Sequence, residues 1–277
     1  MSLVTSAQPR VERLSPANVG PALRYLSRSP YENVFLTYLA MDGTPAMQRD
    51  VHVVLQSSSN VVGVGFLGRQ IVLAAEPEGS EALAQWPARS GERAIVGPRD
   101  VVRAYWERAR THHARPRLVR EHQPVMAVDE ATLLRGDVPV VVRRANDGDR
   151  HDVAQNSAAM IASELETQPR RDADFDAAIR TMIRLGLWWV GESEGRLCFF
   201  CNVGAWSPQT AQLQGIWTPP ALRGRGLATA ALAAICRALL NVVPTLSLYV
   251  NDFNAPAIAL YRRLGFREVG ELQTILF

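Results

Sequence analysis

A chain of 277 residues is long enough for two domains, and with 47% hydrophobic and 21% charged residues each can bury an ordinary core, which excludes general disorder. All 30 residues counted as Lys or Arg are arginines, so a Schiff-base lysine, a pyridoxal phosphate anchor and a Walker-type phosphate lysine are excluded. The formal net charge is only +3 and no polybasic tail is present, so neither a nucleic-acid nor a membrane partner is expected.

Ser15 and Pro16 open an expected helix to residue 27, with Pro16 suited to the first turn. A second helix is expected over 30–41. Strands follow over 51–56, 61–66 and 70–75, joined by turns at 57–60 and 68–69. A short helix (80–86), a strand (93–96), a longer helix (99–110) and strands at 117–121 and 124–128 complete the first half. Gly136 and Asp137 mark the expected boundary, giving domains 1–135 and 136–277. The second half reads as a strand (138–143), helices (147–160 and 175–185) and a meander of strands (187–191, 197–206 and 211–218). A helix (227–240), a strand (245–250), a helix (255–264) and final strand residues (268–277) follow. The two halves share an order of elements without a residue-level repeat, so a duplication rests on that order alone.

The first 30 residues have no apolar signal core, being interrupted by Arg10, Glu12 and Arg13. The richest apolar stretch, 227–243, is broken by Arg237 and Asn241, so no membrane span is expected. Three cysteines, an odd number, fit a reducing compartment, and the chain is expected to be cytoplasmic.

Three motifs are weak. Gly63, Gly65 and Gly68 fit a dinucleotide fingerprint, but strand continues after them where a helix would be needed, so a hairpin is expected. Cys198 and Cys201 lie in a strand, where their odd spacing sends them to opposite faces; no second pair completes a metal site, and no metal is expected. His112 and His113 are expected at an exposed helix end.

The stronger signal begins where Pro219 and Pro220 stop the strand that ends near Thr218. Arg223, Gly224, Arg225, Gly226, Leu227, Ala228 and Thr229 then lead into a helix of small residues. A helix N-terminus offers unpaired N–H groups and partial positive charge, the glycines allow close approach, and the arginines add forked donors. This suits a diphosphate without lysine. Asn254 can cap the helix that follows, Pro256 sits in its first turn, and Gly265 ends it. Tyr261 lies about two turns after Asn254, on the same face.

The pattern R-x-x-G-x-A at 223–228, followed by N-x-x-A-x-x-L-Y-x-x-x-G-F from Asn254 through Ala257 and Tyr261, resembles the Gcn5-related N-acetyltransferase (GNAT) superfamily. The whole chain is also similar to a bacterial subgroup with an uncharacterised N-terminal domain, through residues 117–124, 249–256 and 274–277. The resemblance implies an α/β (α+β) fold with a mixed, mostly antiparallel central sheet flanked by helices. It implies two GNAT-like halves in tandem, the first degenerate. It further implies acetyl-CoA as co-substrate, lying between splayed strands at 212–218 and 245–250. Backbone groups of Ile216, Trp217 and Thr218 would meet the pantetheine, a backbone N–H near Trp217 the thioester carbonyl, and amides of 224–229 the diphosphate. Tyr261 would be the acid that protonates the leaving thiolate.

The expected activity is therefore transfer of an acetyl group to the amine of a small molecule or protein by direct attack in a ternary complex. The base is not fixed by the motifs; Glu164, Glu166 and Glu192 are candidates by position. Two alternatives stay open: a non-catalytic acyl-CoA-binding or regulatory protein, and a tandem enzyme whose first half also binds CoA. Glu76 and Glu78 follow the corresponding strand of the first half and would repel a diphosphate. That half is expected to shape the acceptor site or an oligomer contact, a homodimer among the arrangements considered. Asp172, Asp174 and Asp176 read as a solvated charge run with a secondary reading as a lure for a cationic substrate.

Overall fold

The computed structural model describes residues 9–57, 60–86, 91–134, 139–165 and 167–277. The expected boundary at Gly136 and Asp137 and the base candidate Glu166 lie outside them. In chain order the elements begin with β1 (Arg10–Arg13), α1 (Val19–Leu26), α2 (Val34–Asp42), α3 (Pro45–Gln48) and β2 (Val51–Leu55). Next come β3 (Val61–Leu67), β4 (Gln70–Ala75), α4 (Pro77–Ala84), β5 (Ala94–Pro98), α5 (Arg99–Ala109) and β6 (Leu118–Asp129). The second half has β7 (Val141–Arg144), α6 (Arg150–Leu165), α7 (Ala173–Arg184), β8 (Trp188–Ser193), β9 (Arg196–Trp206) and β10 (Thr210–Trp217). It closes with α8 (Leu227–Leu240), β11 (Thr245–Tyr249), α9 (Ala255–Arg263) and β12 (Arg267–Leu276).

The described residues form two compact units: those up to 125 with 249–254 and 268–277, and those of 126–248 with 255–267. In the first, the strand order is β1-β2-β3-β4-β5-β12-β6. Strands β1 to β4 are antiparallel neighbours, β5 joins β4 in parallel, and β12 runs antiparallel to β5. In the second, β7, β8, β9 and β10 form an antiparallel meander and β11 joins β10 in parallel. Each unit thus has the same core of four antiparallel strands followed by a parallel fifth, which is the mixed, mostly antiparallel sheet the sequence predicts.

The cores are built on both faces. In the first unit Leu26, Leu36, Leu39, Val53 and Val64 pack on one face, and Val54, Ile71, Leu83, Ile95 and Tyr105 on the other. This is why β2 and β3 read as continuous apolar runs: every residue of β2 and β3 is buried. In the second unit α6 and α7 cover Trp188, Val190 and Phe200 with Val153, Ala154, Ile179 and Ile183.

Three expectations change. The strands expected at 117–121 and 124–128 are one strand, β6, which runs through Pro124. Proline has no N–H to give a ladder, but its carbonyl still accepts from Val250 N at 3.1 Å, so the strand continues. Helix α4 begins at Pro77 rather than residue 80, because proline fits the first helical turn. His113 is not at an exposed end. After a single turn of 3-10 helix the backbone extends at His113 and turns the ring inward. Its side chain is 2% exposed, and Nδ1 lies 2.8 Å from Glu92 Oε1.

Candidate active site

Strand β10 carries the backbone irregularities that make a site. Its parallel ladder with β11 holds only Thr210, Ala211 and Gln212, opposite Thr245, Leu246 and Ser247. Beyond Gln212 the ladder stops, so Leu213 to Trp217 present one edge without β11 partners. On the other edge, Gln214 pairs with Asn202 and Trp217 with Phe200, so β10 holds one residue more than β9 across that interval. Gly215, at φ +61°, is in the left-handed conformation that such a β-bulge requires. Both devices leave backbone donors and acceptors around Ile216 free of the ladder, on a half-buried surface.

Pro219 and Pro220 end β10, and a short 3-10 turn (Pro220–Leu222) leads to the glycine loop. Gly224 and Gly226 have φ of +76° and +75°. A side chain at Gly224 would meet nothing within 4 Å, so the space above the loop is open. Gly226 is the N-cap of α8, with no side-chain cap and no acidic residue in the first turn. The first N–H groups of the helix, at Leu227 to Thr229, have no intrahelical acceptor. The exposed Arg223 and Arg225 flank this end. Arg223 donates from Nε to the Thr218 carbonyl at 3.0 Å and lies 4.4 Å over the Trp217 ring. The indole N–H of Trp217 donates to Asn156 Oδ1 at 3.2 Å. The set fits an anionic diphosphate: open space, unpaired N–H groups, positive end charge and two guanidinium groups.

Tyr261 is 6% exposed on α9, one turn beyond the half-buried Ala257, and its ring packs at 5.8 Å from that of Phe266. Burial first, and then the neighbouring Cys201, Glu164 and Cys236, push its phenol well above the usual value of 10. It is therefore a neutral O–H across the physiological range. Asn254 donates its backbone N–H to the Asn251 carbonyl at 2.9 Å and leads directly into α9.

Of the candidate bases, Glu164 is an exposed residue of α6 whose charge reaches Tyr261. Glu192 is bound in an ion pair: Arg143 reaches it with Nε at 2.8 Å and also clasps Asp149. Asp172 caps α7 by accepting from Phe175 N at 2.8 Å, and Asp176 pairs with Arg171 at 2.8 Å. Cys198 and Cys201 are both buried and unbridged. Among the described residues no cluster of His, Cys, Asp and Glu is arranged to hold a metal ion, and no helix is long and apolar enough to cross a membrane. What the sequence did not disclose was the bulge at Gly215; a glycine inside a strand was its only signal.

Residues 157–266 match the acetyltransferase (GNAT) family, and residues 50–151 match a domain of unknown function, DUF4081. The C-terminal region that matches the GNAT family is thus preceded by a region that matches DUF4081. Over 82 residues the sequence is 38% identical to a mycothiol acetyltransferase of Acidimicrobium ferrooxidans, a match covering 28% of this chain and 26% of that one. The chain spans about a quarter of the length of that curated relative.

A Drosophila protein shares the fold with TM-score 0.70 at 14% identity, covering 96% of this chain and 98% of its own. A GCN5-related N-acetyltransferase from Sphaerobacter thermophilus aligns with TM-score 0.62 at 15% identity over 97% and 95%. A tandem GNAT protein from the clavulanic acid biosynthesis pathway aligns with TM-score 0.56 at 15% identity over 96% and 98%. At these identities the likeness is one of fold.

Proposed function

We propose that the second unit is an acetyl-CoA-dependent N-acetyltransferase acting on the amine of a small molecule or protein. The observation that carries the reading is the opened, bulged end of β10 placed directly before the uncapped glycine N-terminus of α8. Acetyl-CoA would supply the acetyl group as an activated thioester. The α8 amides, with Arg223 and Arg225 beside them, hold the diphosphate. Backbone groups of Ile216, Trp217 and Thr218 hold the pantetheine. An N–H freed by the bulge polarises the reacting carbonyl, a donation typically worth about 3 kcal/mol. Glu164 is assigned the ammonium proton that must leave before the amine attacks. The amine nitrogen then bonds the acetyl carbon as the carbon–sulfur bond breaks. Tyr261 gives its proton to the departing sulfur, and the proton that the nitrogen sheds on becoming an amide restores the phenol.

The first unit is proposed to hold no second cofactor. At the corresponding helix start, Glu76 is the N-cap of α4 and Glu78 lies in its first turn. Gly79 is packed so tightly that a side chain there would strike the Val62 carbonyl, and Ser80 Oγ is engaged with the Val101 carbonyl at 2.9 Å. That helix end is closed by backbone and carboxylates.

The test is release of free CoA by the full chain with acetyl-CoA and a broad panel of amines. Acceptor-dependent release supports the enzyme. Binding of acetyl-CoA with no release from any acceptor supports a non-catalytic acyl-CoA-binding protein instead.

A further inference from the structure

Among the described residues of the second unit, four buried side-chain polar atoms have no hydrogen-bond partner, and three of them are uncharged: the Ser157 hydroxyl, the Trp188 indole N–H and Asn202 Oδ1, the fourth being Arg180 Nε on α7. Ser157, Trp188 and Asn202 are only 6%, 3% and 6% exposed. A buried polar group left unmet is costly, and such groups in a native protein call for a specific explanation.

The residues that carry these three uncharged atoms line one face of the sheet and the helix over it. Trp188 is the Cα partner of Asn202 across β8 and β9, and Asn202 is the partner of Gln214 across β9 and β10. Residues paired this way lie on one face of a sheet. That face is covered by α6 and α7, because Trp188 packs with Val153, Ala154, Ile179 and Ile183. Ser157 is about one helical turn beyond Val153 and Ala154, on the same side of α6. The bulge sits against two of these side chains: a Cβ on Gly215 would lie 2.5 Å from the amide nitrogen of Asn202 and 3.1 Å from the hydrocarbon edge of the Trp188 ring at Cη2. Beside them Gln214 Nε2 donates to Gln212 Oε1 at 2.8 Å. A polar strip therefore crosses an otherwise apolar face and ends at the bulge.

We propose that Ser157, Trp188 and Asn202 recognise the acceptor, and that they select a compact primary amine also carrying a hydroxyl or carbonyl oxygen. This rests on the acetyltransferase reading above. The indole N–H can only donate and needs an oxygen. Asn202 Oδ1 can only accept and needs an amine or hydroxyl hydrogen. Ser157 does either. None of the three is charged, so the set matches polarity rather than a second charge. A site built to hydrogen-bond an oxygen rejects the analogue that lacks it, because its own polar groups stay unpaired.

The experiment uses the full chain with 2-aminoethanol, 2-amino-1,3-propanediol and glycinamide against propylamine. Acetyl-CoA binding is measured separately by calorimetry. The wild type is expected to favour the best oxygenated amine over propylamine by at least about tenfold in kcat/KM. Ser157→Ala removes one unmet atom at nearly constant shape, whereas Trp188→Phe removes another together with part of a buried ring. Both should erase most of that preference while leaving acetyl-CoA affinity within about twofold, and the thermal midpoint of the unliganded Ser157→Ala chain should not fall. Equal use of the paired amines, no turnover of any oxygenated amine, or a preference that survives both substitutions would overturn the assignment while acetyl-CoA still binds. Failure of the wild type to bind acetyl-CoA would remove the acetyltransferase reading and this assignment with it.

Discussion

Arg223 holds the end of β10 to the glycine loop: its guanidinium lies 4.4 Å over the Trp217 ring while its Nε donates to the Thr218 carbonyl at 3.0 Å. The arginine that opens the motif thus shapes the turn from inside. It brings the strand assigned to the pantetheine and the helix end assigned to the diphosphate into one fixed connection. Arg225 is exposed on the loop.

Arg223→Ala should therefore weaken acetyl-CoA binding through loop order as well as charge. An exposed cation–π contact is worth about 0.5–1 kcal/mol and a hydrogen bond a similar amount. The expected loss is about tenfold in Kd by calorimetry, with Arg223→Lys restoring little because the planar fork is lost.

Tyr261→Phe should lower kcat by about a hundredfold while leaving acetyl-CoA affinity within twofold, because general acid catalysis typically contributes that much. The pH profile carries a second check. An acid stops working as pH rises through its pKa, and burial moves the Tyr261 phenol above its usual 10. Steady-state rates should then show no alkaline fall from this group below pH 10.

Glu164→Gln should slow turnover of an amine at pH 7 by about ten- to a hundredfold. The deficit should shrink as pH rises toward the amine's own pKa, since free amine then no longer needs a base. A pH-independent deficit in kcat/KM would assign Glu164 a different role.

The Asp149 carboxyl accepts from two Arg143 nitrogens and from Asn146 N at 2.8 Å. The Arg143 bonds hold its pKa below the usual 3.8. A depressed carboxylate adds stability above its unfolded pKa and loses it as pH falls through the folded value. Asp149→Asn should cost about 2 kcal/mol by denaturant titration at pH 7. That difference should narrow below pH 4.

Much of this was readable in the sequence, for physical reasons. Helix α8 occupies Leu227–Leu240 as its apolar period and the glycines before it predict. The glycine loop before it was legible because glycine, proline and arginine each force a local geometry. Strand β1 was missed because Arg10–Arg13 is four residues long, mostly polar and held by pairing with β2, a partner about forty residues away. His113 was misread for a similar reason: Glu92, which receives it, is distant in sequence, and Phe277, which stacks on it at 5.6 Å, is farther still. Gly215 showed a glycine in a strand but not which register shift it served. The polar strip of Ser157, Trp188 and Asn202 exists only once three elements are packed.

The most direct test is calorimetric titration of the full chain with acetyl-CoA, wild type against Gly226→Asp. Gly226 has φ +75° and caps the α8 N-terminus, so aspartate there adds backbone strain and places a carboxylate where the diphosphate is assigned. One equivalent bound by the wild type, weakened at least about tenfold by the substitution, is the predicted result. No binding by the wild type, two equivalents per chain, or an affinity indifferent to Gly226→Asp would contradict it.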